Sequence, residues 1–242
     1  MKMRRYRKGF TLIEMSIVLI VISLILGGVL KTVSTQRQQL KRDETRQMLQ
    51  NIKQALIGFA TTEGRLPCPD TDGDGIENPQ NPNNTTDCDE DEGFLPFVDI
   101  GEGGRDAWGN AYRYRVRGSG NLSFANEPPA IDGVGSVTAD DASFSMLDIG
   151  NIRIEDRDNN LIANDVPAVV LSYGENGRQT IANGFPCAAN FPSSREVLNC
   201  DVNTIYLDDD YSSVAGAEYD DLVSWVSLTV LKSRMLDARK LP

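Results

Sequence analysis

The chain has 242 residues, with 24 Lys and Arg against 35 Asp and Glu, a net charge of −11 and no histidine. Without an imidazole, Ser-His-Asp and Cys-His nucleophilic arrangements are excluded, as are zinc sites that depend on histidine. Residues 1–59 carry 11 cations and 3 acids while residues 60–242 carry 13 and 32, so most of the chain repels phosphate and no nucleic-acid partner is expected.

Phe10 to Leu30 is apolar apart from small residues, three hydroxyls and Glu14. At ~1.5 Å per residue, a helix of that length reaches about 30 Å, the thickness of a hydrocarbon core. Lys2, Arg4, Arg5, Arg7 and Lys8 precede it. Cations on that side leave the N-terminus in the cytoplasm and send the remainder across. A secretory signal has a shorter apolar core followed by an Ala-x-Ala-like site, and no such site follows here. An acid within a membrane helix costs roughly 2.5–3.5 kcal/mol on insertion scales, so Glu14 reads as a functional group.

The basic leader, Gly9, Phe10-Thr11-Leu12-Ile13-Glu14 and the apolar helix together resemble the N-terminal signature of type IV prepilins and type II secretion pseudopilins. The resemblance covers about 25 residues. It implies that a prepilin peptidase cuts between Gly9 and Phe10 on the cytoplasmic face, and that Phe10 becomes an N-methylated terminus. It also implies that Glu14 neutralises the terminal ammonium of a neighbouring subunit, which suits a buried carboxylate in need of a cation. The implied setting is a single-pass protein of the bacterial inner membrane with a periplasmic domain, whose partners are the peptidase and other pilin or pseudopilin subunits in a periplasmic or extracellular filament.

From Lys31 the composition stays helical, and Leu49, Ile52, Leu56 and Phe59 recur at core spacing. Gly64 and Pro67 mark the stop. The spacing predicts one helix of about 50 residues, or ~75 Å, with Lys31–Arg46 exposed and the remainder docked. Gly27-Gly28 is its weak point, since glycine costs about 1 kcal/mol against alanine in a helix.

Cys68 and Cys88 bracket one acidic loop, and Cys187 and Cys200 bracket a second. Outside the cytoplasm four cysteines suggest two disulfides. Three connectivities are open, and the local pairs Cys68–Cys88 and Cys187–Cys200 are expected. Zinc lacks both a Cys-x-x-Cys spacing and a histidine. Asp70-x-Asp72-x-Asp74-Gly75 matches the opening half of a calcium loop, with Glu77 as a further candidate ligand. The twelfth position is Asn81 instead of Glu, so Asp87, Asp89 and Asp91 are alternative donors.

Asp106-Ala-Trp108-Gly-Asn110-Ala-Tyr112 reads as a turn into a strand, with Arg113, Arg115 and Arg117 along one face expected to be solvated or paired with acids. Residues 119–142 are Gly- and Asn-rich, suiting a loop or hairpin. Asn151–Glu155 alternates as a strand, and Val166–Tyr173 reads as a buried one. The Trp-Gly-Asn segment, Ser172-Tyr-Gly-Glu-Asn-Gly177 and Asp220-Asp221-Leu-Val-Ser-Trp225 resemble segments of pseudopilin globular domains. Major pseudopilins hold calcium in a loop near the second of these. Asp208, Asp209, Asp210 and Glu218 are the acids nearby, at no matching spacing. Leu228, Leu231 and Met235 suit a C-terminal helix capped by Ser227, with Lys232, Arg234, Arg239 and Lys240 towards its end.

The expected architecture is α+β and lollipop-like, a long N-terminal helix on a small antiparallel sheet. Its parts are a leader at 1–9, a transmembrane and assembly helix at 10–30, an amphipathic continuation at 31–62 and an acidic β-rich domain at 63–242. The expected role is that of a structural subunit, a pseudopilin or minor pilin, and not of an enzyme. A static membrane-anchored module that binds calcium or adheres without polymerising is the rival.

Overall fold

A computed structural model describes residues 9–79, 88–117, 123–125, 143–178, 196–201 and 203–241, excepting the side chains at 25–34. The leader cations, Asn81, Asp87, Cys187 and most of 119–142 lie outside the described residues. The chain forms two units, residues 1–43 and 44–242.

Helix α1 (Leu12–Glu63) begins in the first unit. There Phe10, Leu12, Ile13, Ile17, Leu19, Ile20 and Leu24 are all exposed, so apolar side chains face outward on every side of the helix. The run expected to cross a membrane at 10–30 is described only as far as Leu24 in its side chains. Among the described residues, no helix is long and apolar enough to cross one.

The second unit is built in layers. From Glu44 onward α1 turns Leu49, Ile52, Leu56, Ile57 and Ala60 into the core. Of the expected stripe, Phe59 is the member left outside that core, and its ring carries the Arg65 guanidinium at 5.4 Å. Gly64 takes φ +78° and donates its N–H to the Ala60 carbonyl at 2.9 Å, ending the helix where a Cβ would be strained.

Under the helix lies a four-stranded antiparallel sheet in the order β1 (Glu92–Phe94), β2 (Arg113–Val116), β5 (Ala168–Ser172), β7 (Leu222–Val226). A second sheet has the order β4 (Leu161–Val166), β3 (Ile152–Glu155), β6 (Ile205–Leu207). The expectation of one antiparallel sheet is therefore corrected to two, and β3 pairs with β6 in parallel. Strand β5 explains the layering. Ala168 and Val170 pack towards the helix, while Val169 and Leu171 pack against Ile152, Ile154, Val166 and Tyr206 of the second sheet. A strand covered on both faces needs an unbroken apolar run, which is how Val166–Tyr173 reads; Pro167 splits that run between β4 and β5.

Helices α2 (Phe97–Ile100) and α3 (Leu228–Asp237) complete the unit. Ser227 occupies the N-cap of α3 with extended backbone but makes no side-chain cap bond. Lys232 does not serve the helix end. It is buried, and its Nζ donates to the carbonyls of Met146, at 2.8 Å, and Asp148.

Candidate functional site

The first site is the junction before α1. Gly9 and Phe10 are exposed and non-helical. A Cβ placed on Gly9 meets nothing within 4 Å, so the chain's own packing does not demand glycine there. Thr11 and Glu14 form a reciprocal cap: Glu14 Oε2 accepts from the Thr11 N–H at 2.9 Å and from its hydroxyl at 3.1 Å, and Thr11 Oγ1 accepts from the Glu14 N–H at 3.3 Å. Thr-x-x-Glu before an apolar run is the sequence pattern of a capping box. The membrane reading of Glu14 had hidden it.

The second is the loop closed by the Cys68–Cys88 disulfide, with Cα atoms 5.3 Å apart. Asp70, Asp72 and Asp74 each place a carboxylate oxygen within 4.8 Å of the others. Asp70, fully buried, is already satisfied. Its Oδ1 accepts from the N–H of Asp72 at 3.1 Å and of Gly73 at 2.6 Å, and its Oδ2 from Gly75 at 2.8 Å. Gly73 and Gly75 sit at φ +85° and +91°, the left-handed turns this wrapping requires. Glu77 is not brought into the group: both its oxygens pair with Arg65 at 2.7 Å, and Oε2 also accepts the Cys68 N–H. The loop is a hydrogen-bonded turn stapled to its neighbour by an ion pair.

The two arginines of β2 and Arg117, just beyond it, also find partners. Arg113 and Arg115 straddle Glu92 at 3.0 and 2.8 Å, and Arg117 donates to the Ile149 carbonyl. Cys200 is disulfide-bonded, and its expected partner Cys187 lies outside the described residues.

A third cluster escaped sequence reasoning. Glu196, Asp220 and Asp221 bring carboxylate oxygens within 4.8 Å of one another, with Glu196 and Asp221 buried. Glu196 heads a 3₁₀ turn (Glu196–Asn199), and the aspartates lead into β7. Burial first, then the adjacent Asp220 carboxyl, pushes Glu196 up to about 7. Burial and then Glu196 hold Asp221 well above the usual carboxylate range. The only sequence signal was the Asp-Asp pair, since Glu196 comes from 24 residues upstream of Asp220 across a connection that spacing rules do not resolve.

The Trp-Gly-Asn segment supports this corner. Asp106 accepts from the N–H of Trp108 at 2.9 Å, the N–H of Asn110 at 2.8 Å and the Ser172 hydroxyl at 2.6 Å. Asn110 Nδ2 in turn donates to the Gly174 carbonyl at 2.7 Å. Gly174 begins the second 3₁₀ turn (Gly174–Asn176), whose Glu175 N–H donates to Asp220 Oδ2 at 2.6 Å. Asp208 and Asp210 stand apart from the cluster, Asp209 pairs with Arg157 at 2.7 Å, and Glu218 accepts from the Gly216 N–H at 2.8 Å.

Comparison with protein families finds the prokaryotic N-terminal methylation motif at residues 4–30, the prepilin-type cleavage and methylation motif of type IV pilins and pseudopilins. No curated protein and no solved structure matches the chain.

Proposed function

We propose that the chain is cleaved by prepilin peptidase between Gly9 and Phe10 and then serves as a structural subunit, a pseudopilin or minor pilin, of a type IV pilus-like or type II secretion filament. The motif at residues 4–30 supports the first half of this reading. The observation that carries the second half is the apolar helix. Phe10 is 81% exposed, Leu12 93% and Leu24 73%, and the neighbouring isoleucines, leucines and valines are open as well. A soluble protein does not leave a continuous apolar surface of that extent to water. A bilayer accommodates it before assembly, and the same helices of neighbouring subunits accommodate it afterwards. The subunit sits in the bacterial inner membrane with its N-terminus cytoplasmic and the acidic unit periplasmic, and it is not an enzyme.

Glu14 separates this reading from that of a fixed anchor. Glutamine can replace glutamate in a capping box but cannot neutralise a terminal ammonium. Glu14→Gln therefore keeps the cap and removes the charge. In cells carrying the machine, filament incorporation should fall at least tenfold on sheared-fraction immunoblots, with membrane levels unchanged. Normal incorporation of Glu14→Gln would show that the carboxylate is only a cap and favour the anchored, non-polymerising module.

A further inference from the structure

The first sheet ends at β7. Its pairing with β5 runs without a break from Leu222 to Val226, and among the described residues no bridge or hydrogen bond continues the sheet beyond it. In an antiparallel pair, alternate residues turn their N–H and C=O away from the partner strand. The outer side of β7 therefore offers unpaired donors and acceptors. Proteins usually blunt such an edge with charge, proline or a bulge, and none of these interrupts Leu222-Val-Ser-Trp-Val226.

The edge opens into a slot between two layers. A cavity of about 800 Å³ is lined by four consecutive strand residues, 222–225. One of its walls is α1, through Arg46, Leu49, Gln50, Lys53 and Ile57. The other is the margin of the second sheet, through residues 156–158 after β3 and 208–210 after β6. The helix and the second sheet thus both reach past the last strand that they cover. The gap between them occupies the place of a fifth strand, about 17 Å long at ~3.3 Å per residue over the five residues of β7.

The two walls differ in chemistry. In β7, Leu222 and Val226 pack towards the helix, and Val223 and Trp225 towards the second sheet. A strand laid beside it would alternate in the same way. Every second side chain would meet Leu49 and Ile57, and those between would meet the acidic wall. On that wall Asp156, Asp158, Asp208, Asp209 and Asp210 stand against Arg157, which pairs with Asp209 at 2.7 Å. Burial raises the Asp208 carboxyl, Arg46 lowers it, and the nearby Asp210 raises it again.

We propose that this slot takes an extended segment of another protein as a fifth strand on β7, apolar at alternate positions with lysine or arginine between them. Backbone pairing with the free edge recognises an extended chain, and the two walls fix which side chains face which layer. Charge complementarity selects the occupant. A second copy of this chain is a poor match, because residues 60–242 carry 13 cations against 32 acids and would bring like charge to the acidic wall. The slot lies wholly within the second unit, so its occupancy does not depend on filament assembly.

The test uses full-length protein in detergent and synthetic peptides of about eight residues, enough to cover β7. One alternates valine with lysine, a second valine with glutamate, and a third is the lysine peptide with N-methylated backbone amides. Calorimetry reads affinity, and hydrogen exchange by mass spectrometry reads residues 222–226. The lysine peptide should bind with Kd below about 1 mM and slow exchange at the β7 amides directed away from β5. The N-methylated peptide should not bind. The glutamate peptide should bind at least about threefold more weakly, the usual scale of a few exposed charge pairs. Asp158→Asn/Asp210→Asn, both at exposed positions, should weaken the lysine peptide by a similar factor and leave the glutamate peptide unchanged. Trp225→Ala should weaken both. Binding that survives N-methylation, or that leaves exchange at 222–226 unchanged, would overturn the proposal. So would β7 amides already slow without peptide: independent of protein concentration, they would mean that the chain's own segments fill the slot, and rising with concentration, that a second copy does.

Discussion

Asp70 illustrates how one carboxylate determines a loop. Its two oxygens collect three backbone amides, that of Gly75 buried and those of Asp72 and Gly73 partly so, so removing them strands donors that the fold had paired. Asp70→Ala should cost about 2–3 kcal/mol, the usual penalty for buried donors left unpaired, whereas Asp72→Ala, at an exposed position, should change little. Urea unfolding of the two variants checks this, and equal stability would show that the turn does not depend on Asp70. At this scale the sequence was half legible. The Asp-x-Asp-x-Asp-Gly spacing identified a wrapped acidic turn. It did not reveal that amides occupy the first carboxylate, or that Arg65 claims Glu77, because both depend on how the chain doubles back. Thr11 and Glu14 were the opposite case, a capping pattern visible in four adjacent residues.

Among the elements, local patterns carried well and pairings did not. The apolar run at 166–173 indicated a buried strand, and β5 serves both cores. The alternation of 151–155 indicated β3. Alternation names a strand's faces but not its neighbours, so the parallel pairing of β3 with β6 and the division into two sheets were not legible. The same limit hid Glu196, whose partners at β7 are brought to it by the tertiary fold. The Cys68–Cys88 pair is the local choice among three connectivities that the sequence left open, and it links the end of α1 to the entry of β1 across 20 residues. By loop entropy, removing a bridge of that span should cost about 3 kcal/mol. The Cys68→Ala/Cys88→Ala variant should unfold at correspondingly lower urea. A loss below about 1 kcal/mol would mean that the Asp70 turn and the Arg65–Glu77 pair hold the loop unaided.

On the scale of the whole molecule, the chain joins two opposed kinds of surface. One is an apolar helix with its side chains open on all sides, preceded by cations; the other is a strongly acidic layered unit of about 200 residues. Burial of the first in lipid or in a helical filament core is favourable at about 25 cal/mol per Å² of apolar surface removed from water. In the proposed filament, the acidity of the second would keep displayed units soluble and apart. Processing at Gly9 connects the two. As proposed, it would remove the leader cations and create the ammonium that Glu14 is proposed to meet. Intact and N-terminal peptide mass spectrometry of the protein from its native membrane tests that step directly. The account predicts a chain beginning at N-methylated Phe10. A chain that keeps residues 1–9 in cells with an active prepilin peptidase, or one cut beyond Leu30, would contradict it.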